Sequence, residues 1–380
     1  MEPTQHLLMH FPPNLEKYGS IFLSAYQPLP VLFSDAGKTV KLKQKSLRVC
    51  RFCGKGSDRV NFRKKAHKIP ELLGNRYMLS DFECDTCNEK FGKFENDLAI
   101  YCAPMLAMQG TRGKEGRRSL ASKGKKIMIP FVFDGIELTL ITKPDPDDDS
   151  MDFNHDTGKN SFRFSKNAYT PVKVYKAFLK AALSCLPEVE FKYYSYAVRF
   201  LHEDSWDEKN MDFAKITLHT VPMGSGHHAP VIFIYKKRDP QAAIPTHIFV
   251  MRFANCYVQF MLPFYDPDII QIYNKEVAYP VCPPVFTTPS PDISPTFFNV
   301  DLHSFEKQKA EEVNLSFDTD PDILKKNGVV YDHQTDTFKP LDAFESIASA
   351  VMAPSHTSFT NEQLGRLAKV IQELNEKQKI

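Results

Sequence analysis

Residues 50–88 read CRFCGKGSDRVNFRKKAHKIPELLGNRYMLSDFECDTCN, two Cys-x-x-Cys pairs that frame a single histidine, His67. Cys50, Cys53, Cys84 and Cys87 offer four thiolates, the full complement of a tetrahedral structural zinc site. Four sulfurs leave the ion no open position, so such a zinc holds structure and performs no chemistry. The 30 residues between Cys53 and Cys84 exceed the simplest ribbon spacing, so something is mounted within the loop. The other cysteines, Cys102, Cys185, Cys256 and Cys282, are scattered singly. That is no disulfide framework, and it reads as a reducing, cytoplasmic setting with one metal site.

Around this segment the charge is polarised. The 380 residues carry a formal net charge of only +2, yet residues 38–68 hold twelve Lys or Arg against one acid, Asp58. Residues 112–126 add seven more against Glu115. A single basic run is usually a solvated face; two runs flanking a metal-binding segment point to a polyanionic partner. The first residues, MEPTQHLLMHFPPN, lack the basic leader and apolar core of a signal peptide. No apolar run approaches the ~20 residues that span a bilayer, and no membrane partner is expected.

The mounted loop carries KKAHKIPELLGN and, on the returning side, CDTCNEKFGKFEND. This pattern resembles the HNH endonuclease family, in the branch where two zinc-binding Cys pairs frame a ββα-metal site. The matching residues are His67, Ile69, Pro70, Leu73, Gly74, Asn88, Phe91, Gly92 and Glu95, within roughly residues 47–98. The resemblance implies a small zinc-bound, treble-clef-like ββα module; the strand and helix patterns downstream read as a larger mixed α+β domain, so the fold class is α+β. The resemblance implies that His67 is a general base that takes a proton from attacking water. It implies that Asn88 binds a catalytic divalent ion, Mg2+ or Mn2+, with Glu95 orienting a ligand or a bound water; Asp81 either caps the loop or joins the ligands, and Glu71 is a candidate for the ligand missing at position 66. Ala66 stands where related nucleases often place a metal-binding side chain, and Ala cannot fill that role. A lone histidine is more often structural than catalytic; here the flanking pattern favours catalysis. Arg63, Lys64, Lys65 and Lys68 surround His67 and would contact DNA phosphates without reading sequence.

The implied function is a metal-dependent DNA endonuclease of bacterial anti-phage defence or restriction. The alternative is a zinc-dependent nucleic-acid-binding protein without catalysis. A linear reading divides the chain into a lead-in (1–45), the nuclease module (46–109), a basic linker (110–126), an α+β regulatory or recognition domain (127–278) and a Pro-rich and helical end (279–380). Within it, Asp134-Gly135 marks a hairpin, 170–187 an amphipathic helix, and 213–221, 230–236, 246–253 and 256–262 four strands. The stripe Leu364, Leu367, Ile371 and Leu374 predicts a final helix that packs on its own domain, with self-association left open. His227 and His228 read as part of a turn, and the acids of 145–156 as a solvated loop. A regulatory ligand of the second domain is also open.

Overall fold

The stripe Cys87, Phe91, Phe94, Leu98 and Tyr101 is realised as one helix, Asp85–Tyr101, with all five side chains buried. The computed structural model describes residues 10–29, 32–33, 48–108, 111–113, 116–117, 119–122, 125–142, 150–153, 157–221, 227–268, 279–286, 295–318, 329–332, 337–340, 349–352 and 359–376. Residues 38–47 of the basic run, most of the acidic 145–156 stretch and residues 224–226 lie outside these. None of the helices among the described residues is long and apolar enough to cross a membrane.

In chain order the helices are α1 (Glu16–Ala25), α2 (Asp85–Tyr101), α3 (Ala103–Met108), α4 (Pro171–Cys185), α5 (Glu188–Phe191), α6 (Ser195–His202) and α7 (Asn361–Glu376). The first strands are β1 (Tyr26–Pro28), β2 (Leu32–Phe33), β3 (Ala66–His67), β4 (Leu79–Ser80), β5 (Arg112–Gly113), β6 (Gly116–Arg117) and β7 (Leu120–Ser122). Then come β8 (Lys125–Phe133), β9 (Ile136–Thr142), β10 (Met151–Phe153), β11 (Lys159–Lys166), β12 (Lys215–Thr220), β13 (His227–Lys237), β14 (His247–Ala254) and β15 (Cys256–Met261). The last are β16 (Thr296–Asp301), β17 (Glu311–Asp318), β18 (Val329–Asp332), β19 (Thr337–Pro340) and β20 (Ser349–Met352). The class is α+β, a small cysteine module with larger sheet-containing regions, as the sequence implied.

These elements form two compact units that interleave along the chain: residues 1–101 with 169–308, and residues 102–168 with 309–380. The linear boundaries at 109/110, 126/127 and 278/279 do not coincide with them. The reason is long-range pairing, as when β11 lies antiparallel to β17 with Lys159 opposite Asp318 and Lys166 opposite Glu311. In the second unit, β8 and β9 form the hairpin expected at Asp134-Gly135, both with positive φ. Its sheet runs β19-β18-β20-β9-β8-β7, and α7 buries Leu367 and Ile371 against Ile129, Phe133, Leu138 and Leu140. Part of the stretch read as a linker is therefore sheet: Leu120–Ser122 pairs with β8.

In the first unit an antiparallel sheet runs β1-β13-β14-β15-β12-β16, with β2 also on β13. The four strands expected between 213 and 262 are its centre. The helix α4 departs from its amphipathic reading, because fourteen of its fifteen residues are buried, Lys176 and Lys180 among them. On one side Tyr175 meets Phe260 of β15 at 5.7 Å; on another, α4 packs along α2. A helix covered on both faces must satisfy its polar groups internally. Lys176 accordingly donates to the Glu203 carbonyl, and burial lowers its pKa to about 8.

Candidate functional site

The cysteine framework is built from two tight turns. After Cys50, the Gly54 N–H returns to the Cys50 carbonyl at 2.8 Å, and Gly54 takes φ +68, a conformation open to glycine. The second pair straddles the start of α2. The four sulfurs lie within 4.8 Å of one another, with Cys50 to Cys87 and Cys53 to Cys84 both at 3.8 Å. Sulfurs held at about 2.3 Å around a tetrahedral ion stand about 3.8 Å apart, so two of the sulfur pairs already stand at zinc spacing. Four thiols are also the donor set of a structural zinc site. The thiol of Cys87 and then the N–H groups of Cys84, Cys53 and Phe52 hold the Cys50 thiol down at about 4, against burial. The same sulfur contact pushes Cys87 up.

The cysteine module suspends a hairpin. Asp85, in the first turn of α2, accepts the N–H groups of Arg63 and Lys64 at 2.9 Å each, and donates its own N–H to the Asn61 carbonyl at 2.8 Å. The chain then enters β3, where Ala66 faces Ser80 and His67 faces Leu79 of β4. Strand alternation sends Ala66 inside, 2% exposed, and leaves His67 partly exposed. Asn75 closes the loop between the strands. Fully buried, its Nδ2 donates to the Ile69 and Met78 carbonyls at 2.7 and 3.2 Å, and its Oδ1 accepts the Tyr77 and Met78 N–H groups at 3.2 and 2.9 Å.

The expected site residues divide into two groups. His67 and Glu95 lie near a buried cation, Lys180 of α4, and Glu71 lies near Glu95. The Lys180 Nζ donates to the His67 carbonyl at 2.6 Å, its charge acts on Glu95, and Glu71 and Glu83 are further charged neighbours of Glu95. Burial raises the Glu95 pKa, with Lys180 opposing. Asn88 lies two turns before Glu95 on the same face of α2, and Gly92 lies between them with open space where a Cβ would stand. Asp81 stands apart: it follows β4, partly buried, and its charge is felt at Arg51. The carboxylate that ties the loop is Asp85. Arg63, Lys64 and Lys65 are exposed, Lys64 in an ion pair with Glu89 at 3.3 Å, while Lys68 lies over the Phe82 ring at 5.6 Å.

Sequence reasoning passed over Asn75, Glu83, Asp85 and Lys180. Asn75 follows Gly74 at φ +92, and that Gly-Asn pair is a turn signal that could have drawn attention. Lys180 carries no local signal, because its partners are 97 and 113 positions away in the chain.

Residues 50–99 match the family model of the HNH endonucleases. The match covers both cysteine pairs, the His67 hairpin and α2 to Ala99, and it supports a nuclease acting on nucleic acid. No curated protein and no solved structure matches the chain.

Proposed function

We propose that the chain is a metal-dependent endonuclease that hydrolyses DNA phosphodiester bonds, with His67 as general base. The observation that carries this reading is a partly exposed histidine on a hairpin whose backbone is tied down on every side, inside the segment that matches HNH endonucleases. A neutral imidazole at pH 7 can accept a proton from water attacking a phosphodiester. The four cysteines would hold a structural zinc that fixes the hairpin to α2. Among the described residues no second group of three His, Cys, Asp or Glu is spaced to hold a metal. A hard divalent ion tolerates a sparse protein shell, since Mg2+ keeps several waters and is usually bound via one or two carboxylates plus substrate phosphates. Asn88 would be its protein ligand and Glu95 would orient a bound water. When bound, the ion would neutralise the scissile phosphate and stabilise the departing 3′ oxygen.

Arg63, Lys64 and Lys65 would grip backbone phosphates, with Lys68 contributing less because it covers Phe82. The regions outside residues 50–99 would regulate the nuclease or recognise its target, in a cytoplasmic defence against phage DNA. Ala66 favours a second reading, a zinc-dependent binding module without catalysis, because the position before His67 is buried and offers no ligand. Purified protein with its zinc retained, incubated with plasmid and phage DNA and Mg2+ or Mn2+, separates the two. The nuclease reading expects nicked or linear product that chelation of the added ion prevents; salt-sensitive binding with intact DNA supports the module reading.

A further inference from the structure

Lys180 belongs to α4, outside the residues that match HNH endonucleases, and is 1% exposed. Its ammonium lies 3.0 Å from Glu83 Oε2, and Glu83 directly precedes Cys84. Both side chains are almost wholly buried, and burial pushes the Glu83 pKa up against the pull of Lys180. Burial outweighs the pull of Lys180 on Glu83, so desolvation is the larger of the two effects in this pair. A buried ion pair of that kind is a weak device for stability, and an apolar pair of similar volume would serve packing as well. Lys180 makes a second contact, 2.6 Å to the His67 carbonyl.

That contact fixes one peptide plane from both sides. The His67 carbonyl accepts Lys180, and the N–H of the same peptide, on Lys68, donates to the Met78 carbonyl at 2.9 Å. With the peptide immobile, the direction of the His67 Cα–Cβ bond is set, and so is the cone its ring can sweep. We infer that Lys180 is a positioning residue for His67, so that α4 is part of the nuclease site although it lies outside the matched segment. This rests on the nuclease reading above. Glu83 serves to retain the ammonium in the interior. A misplacement of about 1 Å at a reacting group can lower a rate about 10²-fold.

Three full-length variants test it: Lys180→Met, Glu83→Gln, and the double Lys180→Met/Glu83→Met. The single Lys180→Met leaves a buried carboxylate and should melt lower. The double removes both charges and should melt above the single variant, with the zinc content and DNA affinity of the parent. Its single-turnover cleavage at saturating DNA should nevertheless stay about 10²-fold down, with KM unchanged. Exchange of the Lys68 amide should be at least tenfold faster. Glu83→Gln keeps the His67 contact and should cleave within a few-fold of the parent. A double variant that cuts like the parent, or a Glu83→Gln variant as impaired as Lys180→Met, overturns the inference while leaving the nuclease reading standing. A wild-type protein that never cuts overturns the nuclease reading, and this inference with it.

Discussion

Replacing Asn75 by Ala should loosen the His67 hairpin without unseating the zinc. Four hydrogen bonds disappear, but their partners are not equally stranded. The Met78 carbonyl keeps the Lys68 N–H at 2.9 Å, and Tyr77, 38% exposed, can turn its N–H to water. The Ile69 carbonyl and the Met78 N–H lose a partner at residues that are 0% and 6% exposed. An unsatisfied buried group costs about 1–3 kcal/mol, so the two together give about 4 kcal/mol. The loss falls on the 66–80 hairpin, since Asn75 bonds only within it. At about 1.4 kcal/mol per factor of ten, exchange of the Lys68 amide should accelerate by roughly 10²–10³. Zinc content should stay at one per chain and cleavage should fall with the loss of hairpin order. Asn75→Asp keeps both acceptor bonds but turns a carboxylate towards the Ile69 carbonyl, and should be nearly as damaging. An Ala variant whose Lys68 amide exchanges at the parent rate, and which cuts like the parent, would refute the reasoning.

Cys84→Ser should lose the zinc and unfold residues 50–99, because structural metal supplies much of such a module's folding free energy; elemental analysis and limited proteolysis read this out. Neutralising Arg63, Lys64 and Lys65 together should weaken binding to unrelated DNA sequences alike and flatten the salt slope by up to about 2.7, at about 0.9 per phosphate contact. The Glu89 pairing of Lys64 would make the observed change smaller. An unchanged slope would place the phosphates elsewhere. In the sheet-containing part of the same unit, the His247 contact, and after it Lys236, hold Glu190 down from 4.5 to about 2 against burial. A depressed carboxyl stabilises the fold above its unfolded pKa and loses that contribution as pH falls through the folded one. Glu190→Gln should therefore melt below the parent at pH 7, and the gap should close between about pH 4.5 and 2. A gap that persists at the acid end would contradict that assignment.

Short-range signals carried much of this architecture. The two Cys-x-x-Cys pairs, the stripe from Cys87 to Tyr101 and the Asp134-Gly135 hairpin all depend on residues within a few positions of each other, and all form as read. The helix α4 was legible as a helix but not as a buried one. Its lysines look like a solvent face until α2 and the β14-β15 sheet are laid on both sides. Arg51 makes the same point: it stacks on Phe82 at 3.9 Å and Phe191 at 4.6 Å and donates to the Leu183 and Leu186 carbonyls. In the sequence it was one more basic residue in a phosphate-binding run. In the fold it ties the first cysteine turn to the end of α4. Pairings across a hundred residues or more leave no local trace, so neither the interleaving of the units nor Lys180 could be read from spacing.

The central claim is that His67 performs the proton transfer of a phosphodiester hydrolysis, and the single-turnover rate of DNA cleavage with and without its imidazole tests it most directly. Parent and His67→Ala proteins, matched for zinc content and measured at saturating DNA with Mg2+ or Mn2+, should differ by about 10²–10⁴-fold, the usual worth of a positioned base. DNA affinity and melting temperature should be unchanged, because the ring is partly exposed and the hairpin is held through its backbone. Equal rates in the two proteins would contradict the account.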